Sequence, residues 1–588
     1  MLIWILKCVM LLISLLGWCF LFQHFNCKVP IEYSPAITIS IMSIVLLLAG
    51  YIDILRPVSI VIYVCGFGAF LFSCIKDKKR LKEHRTIGIL LGAILIFAFL
   101  CYGNKFEEPD SYSHWGIMVK RMLLHNGLPD YTDKTIQYKS YPAGISSFLY
   151  YICLFTNDKD ESMLLGMGIA VLSFLYAYFS LVKDKSKWYY VLIVVTGVVI
   201  MRCNNNLLHS VQVDTLLPVV GAVAFLMFHK LYQTTKQTRV FIYLVLILCF
   251  EITIKNSGIF FAILLSVTIC FMYSEKNKWV LAGLTTGIPV LYYLLWSVHV
   301  KLAFPGGMTS THAMSLQHYY NVLMNREWEE VRRTIVAFGE RIINPFADTG
   351  VTVGLFLIIV IFLLLKVQKK KNMEVYRYYT RVGIVAYVSY MIGLLGMYLC
   401  SMEDDAPYIL ASFHRYEVTI CIFIYLLMIE CIIENDVKIR KKSKKETVIA
   451  YIKDNLCLIC IGVIYLNAIQ FVHMGYFHIK IDTREKMEKI VEQYNFNSNT
   501  SFAICNREDY DPYNIDVPEI KMYNAYMVQY ATDSYNFKYL SSENMEEAMK
   551  NGEYDYYIFL EDDGELGIKL PIEGYRVIEN KEISSNGI

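Results

Sequence analysis

Charged residues are scarce in this chain. Only 18% of its 588 residues are Asp, Glu, Lys or Arg, against about 25% in a typical soluble domain. The formal net charge is +2, so bulk electrostatics give no reason to expect a nucleic-acid partner. The composition therefore disfavours both an ordinary soluble protein and a nucleic-acid-binding protein.

The chain also lacks a pair of Cys-x-x-Cys motifs, internal repeats, low-complexity tracts and proline-rich linkers. The 16 cysteines lie mostly within apolar runs, where they are typical of small buried side chains. These absences exclude a disulfide-stapled secreted scaffold, a zinc framework and a collagenous or disordered chain.

Apolar residues are abundant instead, at 56% of the chain, with a mean hydropathy of +0.41. Runs of about 17–21 residues recur, and a helix of that length crosses a hydrocarbon core of roughly 30 Å. The first run carries Lys7 and no small-residue cleavage site, so we expect it to be retained. We predict 13–14 transmembrane helices, near 2–22, 34–55, 58–75, 86–103, 163–182, 188–203, 213–232, 238–254, 256–273, 279–299, 351–367, 382–400, 412–433 and 455–474.

Lysine and arginine are concentrated in certain loops, and this bias indicates the orientation. Basic loops predicted to be cytoplasmic are 76–85, 183–187, 369–381 and 438–445. Segments then predicted to lie outside are 104–141, 204–212, 300–350, 401–411 and everything after 475. The chain is thus expected to be a multi-pass protein of the cell membrane.

Two segments do not fit a simple series of spans. The apolar stretch 143–155 is short for a crossing, so we predict an interfacial or re-entrant helix, with a short true span as the alternative. After about residue 475 the chain becomes polar and alternates helix-like and strand-like stretches, which predicts a small extracytoplasmic α/β domain. We therefore divide the chain into N-terminal helices (1–85), a membrane module (86–474) with outer loops 104–141 and 300–350, and a tail domain (475–588).

Three groups of charged residues lie near the predicted outer face. In the first, Glu108 and Asp110 directly follow a span and precede 111–124, whose apolar spacing predicts an amphipathic helix on the membrane surface. The second is Asp214, with His209 just before it, at the mouth of a span; a helix cap is the alternative explanation.

The third group comprises His414, Arg415 and Tyr416, which enter the span at 412–433. An arginine there needs an anionic partner, either a ligand phosphate or a structural carboxylate. Lys255 is a further cation near the outer boundary, where snorkelling is the alternative. Carboxylates can activate a hydroxyl or hold a metal, and cations can hold phosphate, so this set suits glycosyl transfer from a polyprenyl-phosphate-linked sugar.

The order of these motifs resembles that of the C-type (GT-C) membrane glycosyltransferases, which include protein mannosyltransferases, aminoarabinose transferases and oligosaccharyltransferases. The elements that carry the resemblance are the acidic motif 108–115, Tyr141-Pro142-Ala143-Gly144, Asp214, Lys255-Asn256-Ser257-Gly258-Ile259-Phe260 and Arg415-Tyr416. The first motif has Asp110-Ser111 where many relatives have Asp-Glu. The N-terminal 85 residues have no counterpart in many relatives.

The resemblance implies an inverting bacterial enzyme, a GT-C fold, and roles for particular residues. Asp110 would be the catalytic base, Glu108 could share that role, and Asp214 would be a second acidic residue of the pocket. Metal dependence is left open, since Asp110 and Asp214 could hold Mg²⁺ or Mn²⁺ but no ligand spacing requires it. The candidates for substrate binding are His114, Trp115, Lys120, Tyr141, His209, Lys255, His414, Arg415 and Tyr416.

Three other functions are compatible with such a chain: a transporter or flippase of lipid-linked sugars, an envelope polysaccharide polymerase or ligase, and a sensor built around the tail. A transporter is expected to carry its polar residues near the middle of the membrane, often with inverted repeats. Here most predicted site residues lie at one boundary, which favours the transferase. The expected partners are the lipid-linked donor, a glycan, lipid or protein acceptor, and the bilayer.

Overall fold

A computed structural model describes residues 1–26, 29–76, 86–136, 138–182, 188–202, 207–305, 316–343, 373–401, 407–434, 481–510 and 519–586. The chain divides into two compact units. The helical unit contains Met1–Lys105, Val119–Asp130 and Lys139–Gly475. The α/β unit contains Phe106–Met118, Tyr131–Tyr138 and Tyr476–Ile588.

Helices make up almost all of the regular structure before residue 435. In chain order they are α1 (Leu2–Phe25), α2 (Ser34–Gly50), α3 (Leu55–Lys76), α4 (Ile87–Cys101), α5 (Gly116–His125), α6 (Gly144–Phe155), α7 (Asp160–Tyr176), α8 (Trp188–Arg202), α9 (Leu216–Thr235), α10 (Thr238–Ile252), α11 (Ile259–Met272), α12 (Lys278–Ala303), α13 (Leu316–Asn325), α14 (Trp328–Ile343), α15 (Met373–Cys400) and α16 (Phe413–Glu434).

Eight of the described helices are long and apolar enough to cross a membrane, and each coincides with a predicted span. They are Leu2–Phe25, Ile31–Gly50, Leu55–Lys76, Asp160–Val182, Leu216–Thr235, Lys278–Ala303, Arg377–Cys400 and Phe413–Glu434. This confirms a helical multi-pass membrane protein. Four other predicted spans correspond to the shorter helices α4, α8, α10 and α11, and the spans at 351–367 and 455–474 lie outside the described residues.

The N-terminal helices pack within the same unit as the helices that follow them. The Trp4 indole nitrogen donates to Ser162 Oγ at 3.0 Å, and Lys7 Nζ donates to the Thr156 carbonyl at 2.8 Å. Helices α1 and α3 approach so closely that a Cβ on Gly17 would lie 1.9 Å from the Gly66 carbonyl oxygen. The predicted 1–85 segment is therefore packed against the other helices of this unit.

Helices α9 and α16 form a parallel pair at the centre of the helical unit. Asp214 and Arg415, which lie at the starts of the two helices, are in contact, and so are His229 and Glu430 near their ends. Both helices are largely buried, consistent with apolar residues on every face. Their parallel orientation agrees with the prediction that both spans start on the same side of the membrane.

Helix α6 confirms the prediction of a short helix at 143–155, and it has only 12 residues. Every residue from Gly144 to Cys153 is buried. A helix lying in the interface would keep one face exposed, so the burial disfavours the interfacial interpretation and leaves a re-entrant helix or a short span.

The α/β unit is built around a four-stranded sheet in the order β2-β1-β3-β4. Its elements are α17 (Ile481–Tyr494), β1 (Phe502–Cys505), α18 (Glu519–Thr532), β2 (Phe537–Leu540), α19 (Ser542–Asn551), β3 (Tyr556–Phe559), β4 (Arg576–Glu579) and α20 (Asn580–Asn586). Strand β1 is parallel to β2 and β3, and β4 is antiparallel to β3. The predicted α/β alternation of the tail is thus present in the structure, and the predicted boundary at 475 lies outside the described residues.

Two pieces of the predicted outer loop belong to the α/β unit rather than to the helical unit. The guanidinium of Arg484, on α17, lies 5.3 Å from the Tyr112 ring centre and 5.1 Å from that of Tyr530 on α18. Arg484 Nη1 also donates to the Tyr112 hydroxyl at 3.2 Å. The segment that starts with the acidic motif is therefore attached to the tail by a buried cation between two aromatic rings.

Candidate functional site

Four of the predicted site residues come together in the helical unit, and we call Asp214, Lys255, Arg415 and Tyr416 the Asp214 cluster. Lys255 Nζ lies 2.7 Å from Asp214 Oδ1, and Arg415 Nε lies 3.4 Å from Asp214 Oδ2. The Tyr416 ring centre is 5.0 Å from Lys255 Nζ and 5.3 Å from the Arg415 guanidinium carbon. One carboxylate is thus held between two cations that share an aromatic ring.

Each residue of the cluster is positioned by the end of a helix. Asp214 lies two residues before α9, and Arg415 lies in the first turn of α16. Thr419, one turn further along α16, has its hydroxyl 3.4 Å from the Asp214 backbone carbonyl. Because both helices start at this point, their positive dipole ends lie together and favour a nearby anion.

Lys255 reaches the cluster through a tight turn between α10 and α11. A Cβ on Gly258 would lie 2.4 Å from the Glu251 carbonyl oxygen, so only glycine allows this close approach. The start of α6 packs on the same turn, where the Gly144 amide donates to the Thr253 carbonyl at 3.0 Å. The segment carrying Tyr141 and the segment carrying Lys255 are therefore adjacent, although they are far apart in sequence.

The contacts of Asp214 and Arg415 bear on the alternatives that the sequence left open. Asp214 is the partner of two cations, so the helix-cap interpretation is insufficient; Thr215 occupies the cap position of α9. Arg415 is paired with a carboxylate, as the structural alternative required. Since both Asp214 oxygens face cations, this carboxylate is a poor ligand for Mg²⁺ or Mn²⁺, and the chemistry of the site does not fit the metal considered from the sequence.

Other predicted residues of the helical unit lie in separate contacts. The His209 ring nitrogen Nδ1 is 3.3 Å from the Lys105 carbonyl oxygen, close to the end of α4. His414 is buried at the start of α16. Lys120 and Tyr141 are half-buried.

The acidic motif lies in the α/β unit. Asp110 and Glu108 are half-buried, and a π-helical turn at Ser111–Trp115 follows directly. The His114 ring lies 4.6 Å from that of Trp115 and 5.0 Å from that of Tyr138. Turns of this kind are frequent at functional sites, which agrees with a role for the motif.

The predicted surface helix at 111–124 is only partly correct. A helix is present at Gly116–His125, but every residue from Ser111 to Val119 is buried. The apolar spacing reflects packing within the protein and not an amphipathic helix with one face exposed.

Several functional candidates were not identified from the sequence. Glu251 is fully buried, and within the described part of the chain neither of its carboxylate oxygens has a hydrogen-bond partner. Glu417 is also fully buried and accepts a hydrogen bond from the Tyr387 hydroxyl at 3.1 Å. The available signal was a single acidic residue inside an apolar run, which is costly in a membrane and often functional.

A second polar group lies near the ends of α9 and α16. It comprises His229, Lys230, Tyr379, Glu430 and Glu434, which we call the Glu430 cluster. None of its members was singled out from the sequence.

Comparison with protein-family models, with curated proteins and with solved structures finds no match to this chain.

Proposed function

We propose that this protein is a membrane glycosyltransferase of the GT-C kind. It transfers a sugar from a polyprenyl-phosphate-linked donor to an envelope glycan, lipid or protein on the outer face of the cell membrane. The observation that carries the proposal is the Asp214 cluster, in which two cations lie together at the parallel starts of two buried helices.

The chemistry of the cluster suits the donor phosphate. A lysine ammonium has three N–H groups, and among the described residues Lys255 forms only one hydrogen bond, to Asp214. The two remaining N–H groups of Lys255 can bind phosphate oxygens, and the Arg415 guanidinium adds a second positive charge beside them. Asp214 keeps the two cations side by side before the donor binds.

The acidic motif supplies the base in this proposal. Asp110 takes the proton of the acceptor hydroxyl while the acceptor oxygen forms a bond to the anomeric carbon and the bond to the donor phosphate breaks. The products are the glycosylated acceptor, with inverted configuration, and the free polyprenyl phosphate. Glu108 is the alternative base, since it lies in the same segment.

Polyprenyl phosphate binding tests the cationic part of the proposal. The full chain is reconstituted in lipid nanodiscs, and the affinity for undecaprenyl phosphate is measured for the wild type, Lys255→Met and Arg415→Ala. We expect each variant to bind at least about 10-fold more weakly, because a charge-assisted contact is lost. Lys236→Met is the control, since Lys236 lies beyond α9 and pairs with Glu275; equal affinities in all four proteins would contradict the assignment.

Transfer activity tests the acidic motif. The assay follows release of undecaprenyl phosphate from lipid-linked sugars extracted from the producing cells. We expect Asp110→Asn to abolish release while the protein remains folded and inserted. Full activity in both Asp110→Asn and Glu108→Gln would refute the proposed base.

A transporter or flippase of lipid-linked sugars is the second candidate. The buried carboxylates of Glu251 and Glu417 favour it, because ionisable groups inside membrane helices often line an ion or substrate path. Proteoliposomes distinguish the two functions. Movement of a lipid-linked sugar between leaflets without release of polyprenyl phosphate, lost in Glu251→Gln, would replace the transferase proposal; a polymerase or ligase would instead lengthen or move a whole glycan chain.

A further inference from the structure

The Glu430 cluster gathers ligand-type groups from three helices of the helical unit. His229 lies in a π-helical turn, Met227–Tyr232, within α9. Glu430 and Glu434 are four residues apart on α16 and so share one face of that helix. Tyr379 comes from the first part of α15. Since π-helical turns are frequent at functional sites, the position of His229 is the first indication of a role.

The distances are those of a candidate ion site. One imidazole nitrogen and one oxygen from each glutamate all lie within 4.8 Å of one another. His229 Nδ1 is 3.2 Å from Glu430 Oε1 and 4.0 Å from Glu434 Oε2. Lys230 pairs with the other oxygen of Glu434 and holds that carboxylate in place.

Three side chains of the cluster surround the Tyr379 hydroxyl and compete for its single hydrogen. The Tyr379 hydroxyl has one hydrogen but lies 2.6 Å from Glu430 Oε1, 2.9 Å from Glu434 Oε2 and 2.9 Å from His229 Nδ1. It can donate to only one of these atoms at a time. When it donates to Glu434, the Oε1 atom of Glu430 requires either an N–H on His229 Nδ1 or a bound cation.

The buried second oxygen of Glu430 favours the cation. Glu430 is fully buried, and its Oε2 atom has no hydrogen-bond partner among the described residues. A proton on His229 would satisfy Oε1 and leave Oε2 unsatisfied, at a substantial desolvation cost. A cation bound by the carboxylate would compensate the charge on both oxygens.

A cavity lies beside the cluster. It has a volume of about 290 Å³, and its walls include Tyr33, Ser180, Lys230 and Glu434. Open space therefore borders the Lys230–Glu434 side of the cluster. The cavity and the unsatisfied Oε2 atom of Glu430 are two separate observations.

We propose that the Glu430 cluster binds one divalent first-row transition-metal ion, such as Zn²⁺ or Mn²⁺, through His229, Glu430 and Glu434. An imidazole ligand selects such ions over Ca²⁺ and Mg²⁺, which prefer oxygen-only sites. Tyr379 and Lys230 orient the two carboxylates through hydrogen bonds. The proposal does not depend on the transferase activity, because the Asp214 cluster lies at the other ends of the same two helices.

Metal binding to the purified full chain in nanodiscs tests this proposal. After treatment with a chelator and its removal, the protein is titrated with Zn²⁺ and with Mn²⁺, and bound metal is measured by equilibrium dialysis and elemental analysis. We expect one equivalent in the wild type and at least a 10-fold weaker affinity in His229→Gln and Glu430→Gln. Glu417→Gln is the matched control, because Glu417 is a buried glutamate of the same helix outside the cluster, and it should bind metal like the wild type.

Each result gives a clear answer. Wild-type protein that takes up no stoichiometric metal, or His229→Gln and Glu430→Gln proteins that bind it normally, would overturn the proposal and leave a protonated histidine as the explanation. If Glu430→Gln fails to fold, His229→Gln decides the question, since His229 is only half-buried. The proposal would also be overturned if Glu417→Gln weakened metal binding as much as His229→Gln and Glu430→Gln do.

Discussion

The two ends of the α9–α16 pair carry opposite chemistry. At the starts of the helices, Asp214 is shared by Lys255 and Arg415, two cations to one carboxylate. At their ends, Glu430 and Glu434 meet His229 and Lys230 around the Tyr379 hydroxyl. Residues at the start supply the groups that bind anions, and residues at the end supply those that bind cations.

The parallel arrangement of the helices explains this difference. The dipoles of two parallel helices point the same way, so two positive ends coincide at the Asp214 cluster and two negative ends at the Glu430 cluster. About 22 Å of helix separates Arg415 from Glu430, at roughly 1.5 Å per residue. The backbone therefore reinforces the charge of the side chains at both ends, and the two clusters can be perturbed separately.

The largest effect is expected from removing the shared carboxylate. Asp214→Ala leaves two half-buried cations without the buried anion between them, which we expect to destabilise the protein by about 3 kcal/mol. Thermal unfolding of the purified protein in nanodiscs measures the change. Adding Lys255→Met to Asp214→Ala should restore part of the loss, because one unpaired cation is removed.

A change in unfolding temperature no greater than that of a surface mutation would contradict this prediction. So would an Asp214→Ala, Lys255→Met protein whose loss equals the sum of the two single losses, since the residues would then be uncoupled.

A smaller effect is expected at the other end of the pair. Glu430→Ala removes a carboxylate whose immediate partners, Tyr379 and His229, can both be neutral. We therefore expect a loss of about 1–3 kcal/mol in unfolding free energy, from the small cavity left at this buried position, since the Tyr379 hydroxyl still has Glu434 and His229 as partners. The same unfolding measurement, made without added metal, compares Glu430→Ala with Asp214→Ala. A larger loss in Glu430→Ala than in Asp214→Ala would contradict this prediction.

The positions of the long helices could be predicted from the sequence because lipid imposes a simple requirement. A crossing segment needs about 20 apolar residues, and eight such segments are long helices in the structure. The short helices were harder, since a run of 12–17 apolar residues suits either a short crossing or a helix buried in protein. The structure shows that α6 packs within the protein, which its sequence alone could not show.

The members of the Asp214 cluster could be identified one by one, because charge at the edge of an apolar run is conspicuous. Their pairing could not be predicted, since Asp214 and Arg415 are on separate helices that meet only in the fold. The attachment of the segment around Tyr112 to the tail, through Arg484, also had no signal in the sequence. Such contacts between distant residues follow from packing and not from local pattern.

The Glu430 cluster was missed for a different reason. Glu430 and Glu434 are spaced for one helix face, but a pair of glutamates near the end of a span is usually a solvated helix end. Only the structure brings His229 and Tyr379 to the same place.

The smallest effect on stability is expected when a lysine is replaced by methionine near either end of the α9–α16 pair. The same substitutions should give the sharpest contrast in ligand binding. Lys230 and Glu434 are each about one-fifth exposed, so Lys230→Met should cost at most about 1 kcal/mol in unfolding free energy. Lys230→Met removes the partner that orients the Glu434 carboxylate, so it should weaken Zn²⁺ binding several-fold and leave undecaprenyl phosphate binding unchanged. Lys255→Met should weaken undecaprenyl phosphate binding and leave Zn²⁺ binding unchanged. Titration of both variants with both ligands checks the four outcomes. Weaker Zn²⁺ binding in Lys255→Met would show that the two clusters are coupled through the helices, because Lys255 lies at the opposite end of the pair from every proposed ligand.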